Sequence, residues 1–110
     1  MSKALHTLGR YDDGIICLDK ILEQQSDYAP AFANKGNMLF HLGKYDEAII
    51  CLDKAYELEP ENTITLYIKA LTLKESGKQN DALLCCYDIL EIDPTNTQAL
   101  QLQLSIMNRY

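Results

Sequence analysis

Four cysteines, two histidines and a set of paired acids are the residues of this 110-residue sequence whose types could do chemistry. Cys17, Cys51 and Cys85 fall 34 residues apart, with Cys86 beside the last. Zinc sites are built from Cys-x-x-Cys pairs or neighbouring histidines, and neither pattern occurs. Equivalent residues on helices packed about 8–10 Å apart stand beyond the ~7 Å Cα separation that a disulfide tolerates. Cys85 and Cys86 diverge by ~100° on a helix, so they are not a redox pair. The cysteines therefore read as small, semi-buried apolar side chains. His6 and His41 have no serine, cysteine or carboxylate at a spacing that would pair them for nucleophilic catalysis. The acids Asp12–Asp13 and Asp46–Glu47 recur at helix starts, where the helix dipole favours them. Nothing suggests two carboxylates facing across a cleft, as glycoside hydrolysis requires. The expectation is no enzymatic activity, no cofactor and no metal site.

What spaces these residues is an internal repeat, the feature to test before any motif. Leu8–Glu23 reads LGRYDDGIICLDKILE, and Leu42–Glu57 reads LGKYDEAIICLDKAYE. The two segments lie 34 residues apart and agree at eleven of sixteen places. A looser copy, Ser76–Glu91, follows in the same frame. Each unit divides into two helices. Phe32, Met38, Leu39 and Leu42 carry the three-and-four spacing of an amphipathic helix, and Gly43 suits the left-handed turn at its end. Asp46 and Glu47 open the next helix, with Ala48, Ile49, Leu52, Ala55 and Tyr56 as its apolar stripe. Pro60 stops it. Gly77, Asp81, Ala82 and Pro94 repeat this punctuation.

On these residues the chain resembles the tetratricopeptide repeat family. Residues 29–62 fit its pattern with Phe32, Gly36, Leu39, Ala48, Leu52 and Pro60, and residues 63–96 with Leu66, Ala70, Leu73, Ala82, Cys86 and Pro94. The small residues at Gly36/Ala70 and Ala48/Ala82 allow two helices to approach closely. The resemblance implies an all-α, right-handed α-solenoid of antiparallel helix pairs. Residues 1–28 form a truncated first repeat: half of a first helix from Met1, then a second helix from Tyr11 to about Gln25, with Gly14 in place of Ala and Ser26 in place of Pro. Residues 97–110 form a last helix, capping or opening a further repeat. Its segment QALQLQLSI alternates like a strand, but the repeat frame makes it helical, with Ala99, Leu100, Leu104 and Met107 as core stripe. Leu102 and Ile106 then lie off that stripe and are expected to be exposed, which suggests pairing between array ends or a longer array.

Composition fits one globular domain: hydrophobic residues make up 47% and charged residues 24%. A net charge of −6 argues against nucleic acid, where a basic stripe is expected. No apolar stretch reaches the ~20 residues of a membrane span, and the N-terminus lacks a signal-peptide pattern. A cytosolic setting is the default. First helices carry Lys3, Lys35, Lys69, Lys74 and Arg109 against one acid, Glu75. A groove lined by first helices would thus be neutral to mildly basic and its back acidic, unless these charges merely decorate solvated faces.

In this family the first helices line a concave groove. The resemblance assigns to it Pro30, Ala33, Asn34, Asn37, Phe40 and His41, then Ile64, Tyr67, Ile68, Leu71, Lys74 and Glu75, then Gln98, Gln101, Leu102 and Ser105. Asn34 and Asn37 can hydrogen-bond a peptide backbone. Ile64, Tyr67, Ile68 and Leu71 form an apolar patch, read either as a partner surface or as packing against the last helix. For Ile64 and Leu71 the two readings weigh equally; Tyr67 and Ile68 favour the groove. Some family members clamp acidic chaperone C-termini with Lys, Asn, Asn, Lys and Arg. Those places hold Ala33, Asn37, Ile68, Gln98 and Leu102 here. One repeat earlier they hold Lys3, Asn34, Ile64 and Ile68, with the initial Lys absent. Either frame matches once, so no chaperone-tail binding is expected. The function that follows is a scaffold for a protein or peptide partner. The alternatives are a self-associating repeat module, forming a homo-oligomer, and the regulatory module of a longer protein.

Overall fold

The computed structural model describes the backbone of residues 2–108 and the side chains of residues 10–108. Its described residues form six helices: α1 (Ser2–Gln24), α2 (Ala29–His41), α3 (Tyr45–Leu58), α4 (Thr63–Glu75), α5 (Gln79–Ile92) and α6 (Thr97–Met107). The α2–α3 and α4–α5 pairs are helical hairpins whose turns are set by one glycine each. Gly43 has φ +80° and Gly77 φ +89°, a left-handed conformation that costs glycine nothing. At each turn the chain makes the same closing hydrogen bonds. The Lys44 N–H donates to the Leu39 carbonyl at 2.9 Å, and the Lys78 N–H to that of Leu73 at 2.8 Å, a six-to-one bond that satisfies a free carbonyl at the helix end. The return turns containing Pro60 and Pro94 lead to asparagine caps. Asn62 Oδ1 accepts from the Ile64 N–H at 3.0 Å, and Asn96 Oδ1 from the Ala99 N–H at 2.9 Å.

Helices stack in chain order, each packing on the next, and first helices also touch first helices, α2 on α4 and α4 on α6. The second helices behave differently: no Cα of α1 comes within 8 Å of α3, nor of α3 within 8 Å of α5, among the described residues. The chain is therefore an all-α repeat solenoid whose first helices form a contiguous wall and whose second helices stand apart on it. Its core is a string of small apolar clusters. One joins Ala70, Leu73, Ala82, Cys85 and Cys86 to Leu102 and Ile106; another joins Leu39, Ala48 and Cys51.

Two expectations need correction. First, α1 runs unbroken from Ser2 to Gln24, so Leu8–Arg10 is no turn and there is no separate half helix before it. Continuing the helix through these residues keeps its i→i−4 hydrogen bonds, several of which a turn would leave unmade. Second, the buried face of α6 is Ala99, Leu102 and Ile106, at 0%, 5% and 0% exposure, while Leu100, Leu104 and Met107 are 40%, 60% and 51% exposed. A first helix has two apolar faces, one for its own second helix and one for the repeat before it. Leu100, Leu104 and Met107 stand at the places of Leu66, Ala70 and Leu73, which α5 covers. No described residue covers them after α6, so only the backward-facing set is buried.

The tightest point of each repeat is the crossing of its two helices. A Cβ on Gly36 would lie 2.6 Å from Leu52 Cγ and 3.2 Å from the Ala48 carbonyl. One repeat later Ala70 supplies that Cβ, and Cys86 takes the place of Leu52 in the same buried cluster. A larger residue on one side of the crossing is thus met by a smaller one on the other. Gly36→Ala is expected to lower stability by about 1–3 kcal/mol, outweighing its gain of roughly 1 kcal/mol in helix propensity. In urea titrations, Gly36→Ala with Leu52→Cys should lose less than the sum of the single losses, by about 1 kcal/mol. Strict additivity would contradict this account of the crossing.

Candidate functional site

The chemistry-bearing residues resolve first. Cys51, Cys85 and Cys86 are buried, Cys17 is exposed, and all four are free thiols. Burial pushes the thiol pKa of all three buried cysteines up, that of Cys85 to about 11 despite the nearby Lys69 charge. This disfavours the thiolate that nucleophilic or metal chemistry needs. His41 is exposed, and its ring stacks on Tyr11 of α1, with centroids 5.1 Å apart and planes inclined by 5°. That contact crosses the first repeat junction, and no sequence signal marked Tyr11 for it. The side chains of Lys3 and His6, and Arg109, lie outside the described residues.

The groove loses two of its expected cations. Lys35 Nζ lies 2.6 Å from Asp19 Oδ1, and Lys69 Nζ lies 2.6 Å from Asp53 Oδ1. Each pair ties a first helix to the second helix of the preceding repeat. The Asp19 hydrogen bond raises the Lys35 pKa against its burial. At Lys69 burial is the largest influence and opposes the charge, but the hydrogen bond and charge of Asp53 outweigh it. Since both lysines are raised above 10.5, the pairs stabilise the fold below that pH and lose their contribution as pH climbs through the folded values. Asp19 and Asp53 recur with the repeat, as do Lys35 and Lys69, so this ladder was readable in the spacing; at its next rung Tyr87 and Gln103 stand instead.

The first-helix wall presents the rest of the groove set. Asn34, His41, Ile64 and Gln98 are exposed; Asn37, Tyr67, Ile68, Leu71 and Lys74 are half-buried. Tyr67 and Leu71 pack against the cluster holding Leu102 and Ile106, so part of the apolar patch is spent on α6. Ile64 remains 66% exposed, and Ile68 belongs to no core cluster. Lys74 Nζ donates to Ser105 Oγ of α6 at 3.1 Å, bridging two groove helices. Leu102, assigned to the groove from its position, is buried and leaves the set. What remains is a mixed surface, amide at α2 and apolar at α4, with Lys74 as its cation. Among the described residues no three His, Cys, Asp or Glu side chains converge as a metal set, and no helix is long and apolar enough to cross a membrane.

Residues 29–62 match the family model for the tetratricopeptide repeat. No curated protein sequence matches the chain. Among solved structures, the first TPR of Spaghetti (RPAP3), bound to the HSP90 peptide SRMEEVD, superposes with a TM-score of 0.87 at 21% identity, over 98% of this chain and 93% of that one. The second TPR domain of human RPAP3, in complex with an HSP70 peptide, gives 0.85 at 23% identity, over 90% and 82%. The Arabidopsis OM64 TPR domain gives 0.86 at 13% identity, over 98% and 89%. At these identities the likeness is one of fold.

The burial pattern makes thiol reactivity a direct check on the geometry. At pH 8 without denaturant, Ellman's reagent should modify Cys17 rapidly and the other three slowly. Cys85 should be slowest, since a pKa of about 11 leaves roughly a thousandth of it as thiolate. Denaturant should release all four together. Fast modification of more than one thiol in the folded protein would contradict the packing.

Proposed function

We propose, from the premise that residues 29–62 are a tetratricopeptide repeat within a chain of that fold, that this protein is a protein-interaction scaffold. Its partner is a peptide or helix held against the first-helix wall. The observation that carries this reading is the unspent surface of α2 and α4. Asn34 and Asn37 offer amides that both donate and accept, and Ile64 and Ile68 lie outside every core cluster. His41, Tyr67, Leu71 and Lys74 border them. The Spaghetti and human RPAP3 domains, with peptides bound, support a chain of this fold as a peptide binder.

The ligand of this chain differs from theirs. The places of the carboxylate clamp hold Ala33, Asn37, Ile68, Gln98 and Leu102, and Leu102 is 5% exposed. A terminal carboxylate there would lack a bidentate cation, so calorimetry with an acidic chaperone C-terminal peptide should give no micromolar binding. The groove reading itself is tested by affinity capture from a lysate. Ile68→Glu should reduce capture by about tenfold or more with an unchanged thermal midpoint. Equal capture by wild type and Ile68→Glu would overturn it. Ile68 is the cleaner position, because Tyr67 also supports the core.

A second reading, self-association, is favoured by the open stripe of α6. Leu100, Leu104 and Met107 stand where a second helix covers the equivalent residues of the two preceding repeats. Leu104→Glu should then abolish any concentration-dependent rise in mass by light scattering. Leu102→Glu should instead unfold the end of the array. A strict monomer at high concentration would leave the scaffold reading alone.

A further inference from the structure

The second helices carry a surface that the groove does not use. Ile16, Ile50 and Leu84 occupy one column of the repeat, 34 residues apart, and are 53%, 69% and 59% exposed. These residues repeat as faithfully as the core does, yet bury little. Residues three and four apart on a helix are surface neighbours, and at those distances each has acids: Asp12 and Asp13 before Ile16, Asp46 and Glu47 before Ile50, Asp81 and Asp88 around Leu84. All of these acids are exposed. Across the equivalent stretches 10–24, 44–58 and 78–92, eleven acids face five bases. The surface is thus a row of three apolar knobs in a strongly acidic field.

Its relief is also regular. Because α1, α3 and α5 stand apart, the first helices floor open clefts beside them. One of about 540 Å³ lies between Lys35 of α2 and Ile50 of α3. Another of about 390 Å³ lies between Asp53 of α3 and Leu84 of α5, above Lys69. The ion pairs Lys35–Asp19 and Lys69–Asp53 neutralise these floors, and on the rim of the second cleft Asp81 and Asp88 outnumber Lys78. Neighbouring second helices are farther apart than helices in direct contact, whose axes lie about 8–10 Å apart. A crossing helix presents residues i, i+7 and i+14 on one face at intervals of roughly 10.5 Å, wider than the ~8–10 Å between directly packed helices.

We propose that the second-helix face is a separate docking site for a basic amphipathic helix, with apolar residues at seven-residue spacing and Arg or Lys between them. Charge selects the occupant. A second copy of this chain would bring its own acidic second helices and be repelled, whereas a basic helix is attracted and its apolar residues cover Ile16, Ile50 and Leu84. The site is independent of the first-helix groove.

The test uses the full chain and a fluorescein-labelled helical peptide of about twenty residues, leucine at every seventh position and arginine elsewhere on that face, read by anisotropy. Wild type should bind saturably, and more weakly as salt rises. The triple substitution Ile16→Ser, Ile50→Ser, Leu84→Ser should weaken binding by about tenfold or more, as should Asp46→Lys with Glu47→Lys. Ile68→Glu should stay within about twofold. All substituted residues are exposed, and circular dichroism checks that each variant is folded. Absence of saturable binding overturns the proposal. So does wild-type affinity in the triple variant, which would mean attraction by charge alone. Loss of binding in Ile68→Glu also overturns it, because the peptide would then occupy the groove.

Discussion

Each repeat depends on two helices crossing closely enough to exclude water, and that crossing leaves room for only a limited side-chain volume. Gly36 faces Leu52 with no room for a methyl group, while Ala70 shares its buried cluster with the smaller Cys86. Gly14 faces the next repeat rather than its own, and meets only the flexible end of Met38. It stands where the other repeats have Ala48 and Ala82, and a Cβ there would lie 2.7 Å from Met38 Sδ. Everything outside the crossings is free to vary only as far as these contacts permit. The close approach also decides which faces are left over, because the residues that close the repeats are unavailable for anything else.

Those leftover faces differ in kind. The first helices touch each other across repeats and make a continuous wall, so a ligand there meets an unbroken mixture of amides and apolar side chains. The second helices stand apart, with ion pairs at the base of their clefts and acids on their rims. An apolar, hydrogen-bonding groove and an acidic ridged back would recruit different partners. Neither face draws on the residues that close the crossings.

Much of this was legible in the sequence because the period converts one reading into three. The left-handed turns at Gly43 and Gly77, the acids opening α3 and α5, and the burial of Ala48, Leu52, Ala82 and Cys86 all follow from one frame. The frame was less able to say which of two apolar faces a terminal helix keeps. On α6 both faces are apolar, and only the presence of a covering helix distinguishes Leu104 from Leu102. The same limit applies at α1, where a glycine that elsewhere turns the chain stays within a continuous helix. Helix identity alone does not give facing: Lys35 and Lys69 lie on first helices yet reach back to Asp19 and Asp53. The stacking of His41 on Tyr11 joins residues thirty apart at unlike repeat positions, so no periodicity announced it.

The central claim is that the exposed first-helix wall holds an extended or helical ligand. It is tested most directly by selecting ligands from an unbiased peptide display library and mapping amide chemical shifts of the labelled protein on binding. The account predicts that at least one class of selected peptides perturbs Asn34, Asn37, Ile64 and Ile68 together. A set of tight-binding peptides none of which perturbs that wall would contradict it.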